Sequence, residues 1–190
     1  MNLSKLFELQ RQLDAHIEKE HPRQEGEDRL AKKILALMVE LGELCNCWRG
    51  FKYWSYDQEP RTYVQAGCEE CVGGLTYCEK CIRNPLLEEY VDCLHFILSI
   101  GNEISMNEVY EDSAPKPVYF DDIIYQFMFV NQDISSLYYN RHDDINGEIY
   151  DLIFSSFLGL GQMLGFTWEQ IEAAYLEKNA VNHQRQESGY

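Results

Sequence analysis

Glu40-Leu41-Gly42-Glu43 and Glu89-Tyr90-Val91-Asp92 are two carboxylate pairs, the members of each three residues apart. On a helix that spacing sets both acids of a pair on one face. Their neighbours are largely apolar: Met38, Val39, Leu44 and Cys45 beside the first pair, Cys93, Leu94 and Phe96 beside the second. Carboxylates in such surroundings are costly unless something neutralises them. Four of them converging would make an oxygen-rich pocket for a hard divalent cation such as magnesium, which takes a few carboxylates and substrate phosphates and keeps several waters. A cation so held can lower the pKa of a bound water and clamp phosphate oxygens. A single helical Glu is ordinarily solvated, so the constellation, and not any one acid, points to phosphate chemistry. Glu88 reads as a surface residue, and as the substitute ligand if the register is off by one.

The elements that must position these acids are helices. Leu3, Leu6, Phe7, Leu13 and Ile17 form an apolar stripe that predicts a helix over about 3–18, ended by His21-Pro22 and Gly26. Ile34, Leu37, Met38, Leu41 and Leu44 predict a second over about 28–48, which Gly50 and the aromatic group Phe51, Tyr53, Trp54 and Tyr56 close. Asn84-Pro85 supplies an N-cap and a favoured first-turn residue for a third helix, to about 104. Two more are expected over about 120–139 and 147–164, and Thr167 with Gln170 opens a last one as a capping box. The expected fold is all-α, a single domain over 1–190 with about six helices in a bundle.

Residues 57–84 break the helical pattern. They hold Cys68-Glu69-Glu70-Cys71 and Cys78-Glu79-Lys80-Cys81, two CxxC pairs with the spacing of a four-cysteine zinc site. Four cysteine ligands leave no open coordination position, so Cys68, Cys71, Cys78 and Cys81 are read as a structural staple in an insertion between the two acid-bearing helices. Cys45, Cys47 and Cys93 read as small buried hydrophobes.

The 190-residue chain carries a formal net charge of −16, which argues against a nucleic-acid polymer as partner but leaves room for a nucleotide bridged by metal ions. No apolar run is long enough to span a membrane, and the N-terminus resembles an amphipathic helix and not a signal peptide. A cytoplasmic protein is the expectation.

At this point the sequence resembles a family. Glu40-x-x-Glu43 followed by Glu89-x-x-Asp92 looks like the metal signature of the all-α nucleoside triphosphate pyrophosphohydrolases, and within them the dimeric dUTPases. Leu9-Gln10-Arg11-Gln12-Leu13-Asp14, Phe51-Lys52-Tyr53-Trp54 and the closing Lys178-Asn179-x-x-Asn182-x-x-Arg185-Gln186-x-x-Gly189-Tyr190 resemble three further family elements.

The resemblance implies hydrolysis of dUTP, and of dUDP, to dUMP, with pyrophosphate released from dUTP by attack at the β-phosphorus. It implies Glu40, Glu43, Glu89 and Asp92 as ligands of two or more Mg²⁺ ions, with Glu43 in preference to Glu40 orienting or deprotonating the water. Lys178, Asn182 and Arg185 match phosphate-contacting positions. They also share one helical face and carry the donors phosphate takes, although basic residues near a helix end can equally serve its dipole. Gln10 matches a base-recognition position; Asp14 stands where the family often has Asn. Trp54 is read either as a wall for the base or as core, Lys52 as a phosphate contact or an exposed side chain. Phe96 is expected along the deoxyribose. His95 is expected to be packed or solvated and not a ligand. The resemblance also implies a homodimer, for which Tyr138, Tyr139, Phe154, Phe157 and Trp168 offer aromatic surface. Two other readings stay open: a related pyrophosphohydrolase acting on dCTP or mixed nucleotides, and a non-catalytic zinc-stapled interaction protein.

Overall fold

A computed structural model of the chain describes residues 3–65, 82–110 and 114–189. Cys68, Cys71, Cys78 and Cys81 lie outside the described residues. Within them the chain forms six helices: α1 (Leu3–Glu20), α2 (Arg29–Trp48), α3 (Pro85–Glu103), α4 (Ile123–Tyr139), α5 (Asn146–Met163) and α6 (Trp168–Glu187). The all-α expectation holds, with boundaries within a few residues of those the sequence predicts.

Local chemistry accounts for the helix ends. The Asp28 side chain accepts from the Ala31 N–H and so caps α2. The Asn84 side chain does the same for α3, which starts on Pro85. Thr167 and Gln170 close a reciprocal capping box on α6. Each cap is worth about 1 kcal/mol.

Packing is organised around α3, which contacts α1, α2 and α6, while α4 pairs with α5. Tyr90, Val91, Cys93, Leu94, Ile97, Leu98 and Ile100 of α3 are all buried. A helix apolar on nearly every side belongs in the interior. Phe154 and Phe157 are fully buried in the chain's own core; Phe157 stacks on Tyr90 with ring centroids 4.2 Å apart. Those two are therefore not interface residues, and the reason is local: α5 is apolar on several faces and closes over the core. Tyr138 and Tyr139 are exposed. Gly161 is small of necessity, since a Cβ there would lie 2.4 Å from the Tyr90 hydroxyl oxygen.

The root of the insertion is stitched to both acid-bearing helices. The Arg61 N–H donates to the Cys47 carbonyl at the end of α2, and the Arg61 carbonyl accepts from the Leu86 N–H at the start of α3, each at 2.9 Å. A short antiparallel ladder of β1 (Val64–Gln65) and β2 (Ile82–Arg83) follows, with Val64 opposite Arg83. No single helix among the described residues is long and apolar enough to cross a membrane.

Candidate active site

Glu40 of α2 meets Glu89 and Asp92 of α3. Each offers a carboxylate oxygen, and the three atoms lie within 4.8 Å of one another. All three side chains are partly buried. Burial, followed by the charges of Asp92, Glu43 and Glu89, pushes Glu40 up to about 7. Burial and then the charges of Asp92 and Glu43 raise Glu89. Burial raises Asp92 too, opposed by Lys178, whose ammonium lies 2.5 Å from Asp92 Oδ2. Three mutually repelling acids with one lysine between them are short of positive charge. A divalent cation would supply it and bring the group back to full ionisation.

Glu43 stands outside this triad. It is exposed one turn along α2 from Glu40, near enough for its charge to raise both Glu40 and Glu89. Glu88 also stays apart, paired with Arg83.

A cleft of about 880 Å³ opens beside the triad, with Glu40, Asp92, Lys178, Asn182 and Arg185 in its walls. Gln10, Asp14, His95, Phe96 and Ser99 line it further along. The cleft is walled by α1, α2, α3 and α6, and the ion pairs that Arg23 and Lys33 make with Glu103, at 2.7 and 2.8 Å, lie at its far end. Lys52 and Trp54 are not part of these walls. Arg49 adopts a left-handed conformation (φ 66°) and ends α2, and the turns that follow leave Trp54 65 % exposed, neither core nor a wall of this cleft.

The polar wall has one consistent hydrogen-bond assignment. Ser99 Oγ and Gln10 Nε2 both donate to the Asp14 carboxyl group, each at 2.8 Å. The Gln10 Oε1 then faces Tyr175, whose hydroxyl donates at 3.0 Å, and His95 Nδ1 at 2.8 Å. Nδ1 must carry the proton in that contact. Burial, with a smaller contribution from Lys178, pushes His95 down to about 3, so the ring is neutral and its Nε2 is a bare acceptor. That atom is buried and has no hydrogen-bond partner among the described residues. Tyr175 stacks on the ring at 4.2 Å and fixes its plane.

His95 and Ser99 line the cleft and Tyr175 backs the His95 ring; the sequence names His95 only as packed or solvated and singles out neither of the other two. The signal was present in the spacing: Asp92, His95, Phe96 and Ser99 recur at three- and four-residue steps, so an acid on the cleft face carries His95 there with it.

A protein-family model described as dUTPase matches residues 2–79 and 79–190, nearly the whole chain. The chain belongs to the dUTPase family. Family membership makes it a dUTP-hydrolysing enzyme and disposes of the non-catalytic alternative. No curated protein matches the chain. As a dUTPase it carries the cleft just described on helices whose order and type agree with the all-α expectation.

Proposed function

We propose that this dUTPase hydrolyses dUTP, and dUDP, to dUMP in a magnesium-dependent reaction centred on Glu40, Glu89 and Asp92. The observation that carries the reading is a carboxylate triad short of positive charge at one end of a cleft whose polar wall, one turn along α3, offers a buried unpaired acceptor. The donor set suits magnesium: hard oxygens and room for phosphate oxygens and water. When bound, such an ion supplies charge neutralisation and a more acidic water.

The chain's own residues account for the rest. Lys178 is the present counter-charge of Asp92. Once that carboxylate has another partner, the lysine's three donors are free for phosphate. Asn182 and Arg185, on the same face of α6, add an amide and a guanidinium for the same oxygens. Glu43, exposed one turn from Glu40 and outside the triad, is the carboxylate left to take the proton of the attacking water. Attack at the β-phosphorus rests on the family resemblance.

For the base, His95 Nε2 accepts and does not donate. With N3 placed at His95, uracil presents an N3–H donor, whereas cytosine presents a bare N3 that opposes the His95 lone pair and has to shift to offer its 4-amino group instead. Leaving a buried acceptor unmatched is costly, so the wall favours uracil. Phe96 gives that side of the cleft an apolar surface suited to deoxyribose. A homodimer, a reducing cytoplasmic setting and a structural zinc on Cys68, Cys71, Cys78 and Cys81 complete the proposal.

Incubation with dUTP, dCTP, dTTP or UTP and Mg²⁺, with product analysis, tests it. dUMP and pyrophosphate from dUTP alone are expected, with activity abolished by EDTA and by Glu89→Gln. Equal rates with dUTP and dCTP would refute the role of His95.

A further inference from the structure

We propose a subsite for the terminal phosphates of the substrate in a second groove, with Arg83 as the residue that meets them; this rests on the nucleotide reading above. The groove has a volume of about 720 Å³ and lies between β2, the first turns of α3 and the outer face of α6. Arg83, Leu87, Glu88 and Val181 line it, together with Lys178 and Arg185. Lys178 and Arg185 also line the main cleft. The two cavities therefore share a wall of two cationic side chains, one of which, Lys178, is paired with Asp92 of the acid triad. In a chain of net charge −16, a groove lined by Arg83, Lys178 and Arg185 against Glu88 and Glu177 is locally richer in cations than the rest of the surface, which suits an anion.

The course of α3 sets the direction. Glu88, Asp92, His95 and Ser99 follow one another at steps of four, three and four residues, on one stripe of the helix. At 1.5 Å per residue, His95 lies about 4.5 Å beyond Asp92 along the axis and Glu88 about 6 Å before it. A nucleotide with its base on His95 and its inner phosphates at Asp92 has its chain pointing toward Glu88. The opposite direction ends at the ion pairs of Glu103 with Arg23 and Lys33. Arg83 stands where that chain arrives, its Nε donating to Glu88 Oε1 at 2.8 Å and its Nη2 to Glu88 Oε2, with the charge of Glu89 also acting on it. The fork that now grips a carboxylate has the geometry to grip phosphate. Arg83 is exposed and Glu88 partly so, so the pair is open to solvent screening and exchanging Glu88 for phosphate forfeits little.

Inhibition of dUTP hydrolysis by added pyrophosphate and by orthophosphate, in saturating Mg²⁺, tests the assignment. Arg83→Met should weaken pyrophosphate inhibition and raise KM for dUTP by roughly tenfold, the scale of one charge-assisted contact, with orthophosphate inhibition changed much less. Arg83→Lys should recover part of the loss. Glu88→Gln, which releases Arg83, should strengthen pyrophosphate inhibition. An unchanged inhibition constant for pyrophosphate in Arg83→Met, or equal effects on the two anions, overturns the subsite while leaving the dUTPase reading intact. Failure of the native protein to hydrolyse dUTP overturns both.

Discussion

Replacing Glu40 by Gln should stabilise the metal-free protein while destroying its function. Glu40 titrates near 7 in the fold, against 4.5 for a free Glu, first because it is buried and then because Asp92, Glu43 and Glu89 surround it. The sign follows from proton linkage. Between pH 4.5 and about 7 the folded chain holds more protons at this site than the unfolded chain, so stability falls as pH rises through that window. Below it the carboxyl is neutral in both states and costs nothing. Above it the full cost of an ionised Glu40 is present. At about 1.4 kcal/mol for each tenfold change in proton affinity, the displacement from 4.5 to about 7 corresponds to roughly 3.4 kcal/mol. Glu40 is still partly open to solvent, and screening there reduces this to roughly 1–2 kcal/mol. For a chain of this length that is about 2–8 °C in Tm.

Thermal unfolding at pH 7.5 in EDTA should therefore show Glu40→Gln melting above the native protein by that margin, with the gap closing as the pH is lowered toward 5. Magnesium should reverse the order. An ion at a hundredfold its dissociation constant stabilises the native fold by about 2.7 kcal/mol, and the variant has lost one of the carboxylates that would hold it. A variant that is folded yet less stable than the native protein in EDTA at pH 7.5 refutes the reasoning. So does a magnesium-induced rise in Tm of equal size in both.

Gln10→Leu strips His95 Nδ1 and the Tyr175 hydroxyl of their shared acceptor; it should cost roughly 1–3 kcal/mol in chemical denaturation and bring the dUTP to dCTP ratio of kcat/KM toward unity. Lys178→Met removes the ammonium 2.5 Å from Asp92; kcat/KM for dUTP should fall roughly 10- to 100-fold, as expected for a lost charged contact, a result that steady-state kinetics would read directly. Gly159→Ala would set a Cβ 2.0 Å from the Val118 carbonyl oxygen, an overpacking against backbone that should cost at least about 1–3 kcal/mol; Gly42→Ala, with nothing within 4 Å, should instead raise stability by roughly 0.5–1 kcal/mol, and a urea titration of the two separates them. Metal analysis of the purified chain should find about one zinc per chain if the four clustered cysteines share one tetrahedral ion.

Much of the architecture was legible because it rests on short-range chemistry. The Asn84-Pro85 start of α3 and the Thr167–Gln170 box of α6 are set within a few residues, and both appear as the sequence predicts. The apolar stripes of α1 and α2 likewise announce which faces are buried. Glu40 and Glu43 mark the limit of such reasoning. Both belong to the same motif and lie within about 60° of each other around the helix, so sequence spacing cannot rank them. The packing of α2 on α3 does, bringing Glu40 to Glu89 and Asp92 and leaving Glu43 exposed. Trp54 fails for a related reason: its position depends on how the chain turns after Arg49, a left-handed residue that propensity would not assign. His95 is packed, as expected of a helical His, but its unpaired Nε2 is apparent only when Gln10 and Tyr175 arrive from distant helices.

The placement of the chemistry on α3 has a physical logic. Apart from its capped start, this helix is buried on nearly every side, and a polar group on it must face a partner or a cavity. Asp92, His95 and Ser99 resolve that demand in order, against Lys178 of α6, Gln10 of α1 and Asp14 of α1. Because Leu94, Ile97 and Leu98 fix the opposite side of the same helix in the core, the polar stripe cannot rotate or slide without exposing side chains worth roughly 1.5–3 kcal/mol each. The spacing between the Asp92 carboxylate and the His95 imidazole, the proposed metal and base contacts, is thus held by the hydrophobic core. On the proposed reading, selectivity rests on α1 and α6, whose polar side chains decide which atoms of the stripe remain unpaired. Changing Gln10 alters the tautomer demanded of His95, and changing Lys178 alters the charge demanded at Asp92, with neither substitution moving α3 itself.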